Sequence, residues 1–105
     1  MPIPAAVNIC GYPYTIAKVD AIGHSDNGSF IDGQITYHDA EIAIVNKLPP
    51  QFERAIVLHE ILHGMAHHMG QLELQNDEGL ITALGFAVTT LLRSNPDLVA
   101  YLVEE

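Results

Sequence analysis

Between Pro50 and Gly70 the residues Phe52, Ala55, Ile56, His59, Leu62, His63 and Ala66 recur at spacings of three and four. That is the period of an α-helix. It predicts a helix from about Gln51 to Met69, set off by Pro49-Pro50 and stopped at Gly70. At 1.5 Å per residue such a helix is ~28 Å long, enough to cross a whole domain. A chain of 105 residues has room for one core, so the other elements must pack against this helix. Residues 1–105 are read as a single domain.

The flanking sequence supplies those elements. Val7–Cys10 and Tyr14–Val19 are rich in β-branched and aromatic residues, with turn chemistry in Gly11-Tyr12-Pro13, and predict an opening hairpin. Gly23–Gly33 is a loop by composition. Gln34–Tyr37 and Glu41–Val45, separated by His38-Asp39-Ala40, predict a second hairpin. Beyond the long helix, Gln71–Asn76 reads as a polar connection, with Asn76 placed to cap a helix starting near Asp77. Leu80, Leu84, Ala87, Val88 and Leu91 form that helix's apolar stripe, and Arg93 suits its C-terminal dipole. Asn95-Pro96 ends it and opens a short last helix. The expected fold class is α+β, with a small three- or four-stranded sheet packed on the long helix and two C-terminal helices after it.

Inside the long helix stands His59-Glu60-Ile61-Leu62-His63, an HExxH sequence. Residues four apart on a helix lie ~40° apart around its axis and about one turn along it. Both imidazoles can therefore converge on one ion. Glu60, ~60° from His63, can reach a water on that ion without ligating it, and can act as general base. Zn2+ suits two nitrogen ligands and lowers the pKa of its water toward ~7 while polarising a carbonyl. The expected reaction is hydrolysis of a peptide bond.

A catalytic zinc site needs a third protein ligand. His67 continues the i, i+4 series but lies ~80° from His59 and two turns away, too far to share the ion. A third-histidine pattern of the HExxHxxGxxH kind fails, because Ala66 and Met69 occupy the required Gly and His positions. Glu78 opens a helix that a short connection folds back against the first, and is the first choice. Asp77 and Glu73 are the alternatives. His67 and His68 are otherwise explained as favourable partners of the helix C-terminal dipole, and His24 as a solvated loop residue. Tyr37 and His38 are candidates for oxyanion stabilisation, but a ring packed on the sheet for Tyr37 and a solvated turn for His38 are the preferred readings.

Thirteen acidic against four basic residues give a net charge of −9, which repels nucleic acid and anionic membrane surfaces. No apolar stretch reaches the ~20 residues of a membrane span. The single cysteine, Cys10, forms no intramolecular disulfide, and no leader pattern is visible. A cytoplasmic setting is expected.

With His59, Glu60, His63, the later Glu78 and Asn95-Pro96 closing that helix, the chain resembles the small phage or prophage metallopeptidases of the ImmA/IrrE-like type. It is also similar to minimal gluzincins. The resemblance covers the Gly33–Val45 strands, the helix, and the Glu78–Tyr101 tail. It implies a short sheet on the HExxH helix, zinc held by two His and a Glu, and an edge strand that aligns an extended protein or peptide substrate. Glu41–Val45 takes the place of that edge strand here. ImmA/IrrE-type proteins usually work beside a DNA-binding repressor or carry an extra domain, neither of which is read in this sequence, so the substrate stays open. Competing expectations are a catalytically inactive zinc-binding interaction module and a metal-free interaction protein.

Overall fold

In the computed structural model, which describes residues 1–26 and 28–105, the elements are β1 (Ala6–Ile9), β2 (Tyr12–Val19), β3 (Gly33–Thr36), β4 (Glu41–Val45), α1 (Pro50–His68), α2 (Leu72–Gln75), α3 (Glu78–Ser94) and α4 (Pro96–Val103). The architecture is α+β, a four-stranded mixed sheet with helices, the last two of them C-terminal to the sheet. Asn27, inside the expected Gly23–Gly33 loop, lies outside the described residues; the loop's ends meet in an isolated His24–Phe30 bridge.

The first hairpin turns on Cys10 and Gly11, both at positive φ, as a two-residue turn matched to strand twist requires. Asn8 Oδ1 accepts from the Gly11 N–H at 2.8 Å and holds it. Tyr12 and Pro13, expected in the turn, belong to β2.

The sheet order is β1-β2-β4-β3, with β2 and β4 parallel and both outer pairs antiparallel. Glu41–Val45 is therefore an interior strand, and the expectation that it forms the edge is corrected: the edge beside β4 is β3. The cause lies in the side chains. Ile42 and Ile44 are fully buried on one face, and Ala43 and Val45 are half-buried on the other, the continuous apolar run of a strand with neighbours on both sides. Gly33–Thr36 instead alternates half-buried and exposed positions.

One sheet face carries the core. Ile9, Tyr14, Ile42 and Ile44 are buried there, with Ile35, Ile56, Val57 and Ile61 packed on them. The approach of α1 is close at Gly64, where a Cβ would stand 2.9 Å from Ile35 Cδ1 and 3.0 Å from Ile9 Cδ1. Lys18 on β2 and Glu53 in the first turn of α1 add an ion pair at 2.8 Å.

The segment after α1 is more ordered than its polar composition suggests, since Leu72–Gln75 forms the helical turn α2. The cap of α3 is Asp77 rather than the expected Asn76: its carboxylate accepts from the Leu80 N–H at 2.9 Å, the bond an N-cap side chain makes to the third helical residue. α3 then runs back along α1, beginning beside His59 and ending near Pro49 and Phe52. Only Ile81 of α3 is buried, and no residue of α4. Among the described residues no helix is long and apolar enough to cross a membrane.

Candidate metal centre

His59 and His63 project from successive turns of α1 so that their Nε2 atoms stand 3.1 Å apart. Glu78, the first residue of α3, brings its carboxylate to both. Oε2 is 3.2 Å from His59 Nε2, and Oε1 is 2.5 Å from His63 Nε2. These ligand atoms lie within 4.8 Å of one another. Asp77 is committed to capping α3, and Glu73 and His67 are not in the group. Of the residues weighed for the third position, Glu78 is the one the structure brings to the histidines.

The hydrogen bonds around the pair fix its chemistry. His63 Nδ1 stands 2.7 Å from the main-chain oxygen of Gln75. A carbonyl can only accept, so Nδ1 carries the hydrogen, and in the neutral ring Nε2 presents a lone pair. That lone pair faces His59 Nε2 and a carboxylate. Electron-rich atoms held so close repel unless a proton or cation lies among them. Donors around one tetrahedral ion stand about 3.3 Å from one another, near the 3.1 and 3.2 Å found here; the 2.5 Å contact of Glu78 Oε1 with His63 Nε2 is shorter and would open around an ion. The donor set could hold a divalent ion.

The Gln75 carbonyl is itself held in place. The Gln75 side-chain oxygen is 3.3 Å from His67 Nδ1, and its side chain also reaches the Tyr37 phenol closely enough to lower its pKa. The Tyr37 ring stacks on His67 with centroids 4.0 Å apart and planes 7° from parallel. Tyr37 therefore packs on α1 rather than flat on the sheet as expected. Burial, and the nearby Glu60 carboxylate, raise its phenol above the ordinary value against the pull of Gln75. Tyr37 and exposed His38 line a hollow with His67, apart from the one that holds His59, Glu60 and Glu78. The structure brings neither oxyanion candidate into the ligand cleft.

His68 is engaged by β2: Tyr12 stacks on it at 4.1 Å, and the Tyr14 hydroxyl lies 2.6 Å from its Nε2. Sequence reasoning assigned it to the helix dipole alone. The missed signal was the i, i+2 spacing of Tyr12 and Tyr14, which turns both to one face of a strand. His24 is exposed, its ring beside Phe30 at 4.4 Å.

Glu60 is 8% exposed, and burial lifts its pKa to about 7, with His63 lowering it and Glu78 raising it. Gly33 sits directly above. A Cβ there would meet Ile56 Cγ2 and come 3.3 Å from Glu60 Oε2, so the bare backbone of β3 overhangs the carboxylate. Val45 N–H donates to Asp32 O at 2.9 Å, and the register continues as Gly33↔Ile44 and Ile35↔Ile42. In an antiparallel ladder bonded pairs alternate with non-bonded ones. The main-chain groups of Gly33 and Ile35 therefore point away from β4, toward the free edge. Sequence reasoning missed Gly33, although a glycine opening an alternating strand signals close approach.

The arrangement is a helix-borne His-His-Glu group with a buried carboxylate beside it, overhung by the β3 edge of the sheet. No protein-family model matches the chain, and neither a curated protein nor a solved structure matches it.

Proposed function

We propose that this protein is a zinc-dependent peptidase in which His59, His63 and Glu78 hold the ion and Glu60 is the general base. The observation that carries the reading is the convergence of three ligand atoms with the Glu60 carboxyl one residue away and free of the ligand group. Zinc bound there supplies an activated water near neutral pH and polarises the scissile carbonyl. Glu60 takes the proton from the attacking water and passes it to the leaving amine. The free edge at Gly33 and Ile35 takes an extended protein or peptide segment as an added strand and lays its scissile bond over Glu60. That places substrate on β3, in the role first expected of Glu41–Val45.

Glu78 supports catalysis over a purely structural metal. Its side chain is 71% exposed, so the ion side of the group faces the cleft, whereas a structural site is closed by four protein ligands. Exposed, free Cys10 supports a reducing, cytoplasmic setting, and the acidic balance argues against a nucleic-acid partner. The resemblance to ImmA/IrrE-like enzymes supports a phage or prophage source and a regulator protein as substrate.

The test compares zinc content and digestion of a denatured-protein panel for the native chain and Glu60→Gln, both purified without chelator. Equimolar zinc in both, with cleavage by the native chain only, is expected. Equal cleavage by both removes Glu60 as the base. Zinc without cleavage by either favours an inactive zinc-binding module, and protein without zinc ends the reading.

A further inference from the structure

The hollow that holds His59, Glu60 and Glu78 does not end with them but continues along the gap between α1 and α3. Its volume of about 800 Å³ lies high in the range of ~300–1,000 Å³ for ligand clefts, well beyond the needs of one side chain. Phe52 of α1 and Phe86 of α3 stand on its two walls, 47% and 76% exposed. Ala55 and Gly85, which also line it, leave space between the helices. Two open aromatic faces across a gap favour an apolar occupant.

Charge is sorted along the same hollow. Glu60 and Glu78 line it at the ligand group, Asp32 lines it beside Gly33, and Arg93 is the one Lys or Arg among its lining residues. Of the four basic residues in the chain, Lys18 is paired with Glu53, and Lys47 and Arg54 do not line this hollow. Arg93 has no ion pair among the described residues. Gly33 lines the hollow as well, so the hollow is continuous with the free strand edge.

We propose, resting on the peptidase reading, that the substrate segment carries a bulky apolar side chain gripped between Phe52 and Phe86 and, further from the scissile bond, a carboxylate that pairs with Arg93. Phe86 and Arg93 follow Glu78 by eight and fifteen residues, or ~12 and ~22 Å along the helix. At ~3.3 Å per extended residue, and with the reach of an arginine side chain, the apolar residue falls roughly three or four positions from the scissile bond. The carboxylate falls roughly five to seven positions away.

The test uses zinc-loaded Glu60→Gln as a non-cleaving binding probe, with fluorescein-labelled peptides read by anisotropy. One peptide carries Phe and Asp at these spacings, a second replaces Phe with Ala, and a third replaces Asp with Lys. Tenfold or greater loss of affinity for both altered peptides is expected. Adding Arg93→Glu to the probe should reverse the order of the Asp and Lys peptides, and adding Phe86→Ala should erase the Phe preference. Affinities within twofold across the set, or a charge preference unmoved by Arg93→Glu, overturn the proposal. Digestion of the same peptides by the native chain reads the peptidase assignment separately. Selective binding without cleavage removes the enzyme and keeps the cleft, and cleavage without selectivity does the reverse.

Discussion

Glu60 is buried, yet the base catalysis proposed for it needs it charged, and the two demands pull its stability effect and its chemistry apart. Its folded pKa of about 7 stands above the ordinary 4.5 because burial disfavours the carboxylate. A raised pKa means that the folded metal-free chain holds the proton more tightly than the unfolded one. The resulting stability is fully present below about pH 4.5 and is lost as pH rises through about 7. At about 1.4 kcal/mol per unit the loss is on the order of 3 kcal/mol. Metal-free Glu60→Gln should therefore melt higher than the native chain near pH 8 and equal to it near pH 4. Parallel pH profiles in thermal melts rule this out. His63 depends on a neighbour no motif includes, the Gln75 carbonyl at 2.7 Å. Partners of this kind are worth ~10–100-fold in metal affinity. Gln75→Ala, which frees that turn from Tyr37 and His67, should weaken zinc by about that factor in chelator competition while far-UV circular dichroism stays unchanged. Tyr37→Phe, which keeps the stack on His67, should weaken it less. Zinc affinity unchanged in Gln75→Ala would show that the carbonyl holds its place unaided.

Among the elements, β3 bears most directly on the site. Gly33→Ala would put a methyl against Ile56 Cγ2 and Glu60 Oε2, displacing the branched side chain and crowding the carboxylate. Turnover should fall at least tenfold while zinc content holds, and both dropping together would mean that the strand rather than the base had moved. How far elements were legible in the sequence follows from where their information lies. The α1 helix was readable within about a residue because its period, its proline start and its glycine stop are all local. The grouping of His59, His63 and Glu78 was legible too, since two sit on that helix and the third opens the helix folded against it. Strand order was not, because pairing is decided by contacts remote in sequence. Even so, the unbroken apolar run Ile42-Ala43-Ile44-Val45 carried the mark of an interior strand. The Asp77 cap was one residue from expectation, as Asn76 and Asp77 are equally good capping residues and only the packed turn α2 decides between them. Gln75 was invisible because its contribution is a backbone carbonyl, which every residue has.

For the molecule as a whole, the weak point is the attachment of the C-terminal helices. α3 spans seventeen residues but buries only Ile81, and α4 buries none, so apolar burial does little to hold them to α1 and the sheet. The ligands join these two parts: His59 and His63 belong to α1, and Glu78 to α3. Without an ion, a carboxylate and two imidazoles are a poor clasp; with one, they tie the first turn of α3 to α1 beside Ile81, its one buried residue. Binding to the folded state alone stabilises by RT ln(1 + [L]/Kd), ~4 kcal/mol at a thousandfold excess over Kd. Chelation should therefore lower Tm by several degrees or more and speed amide exchange mainly in α3 and α4, with β2 and β4 still protected. Restoring zinc should reverse both effects, and in Glu78→Gln the response to chelator should be much reduced. A uniform rise in exchange across sheet and helices would place the metal's stabilisation in the whole core, and an unchanged Tm would deny the ion any part in holding α3 to α1.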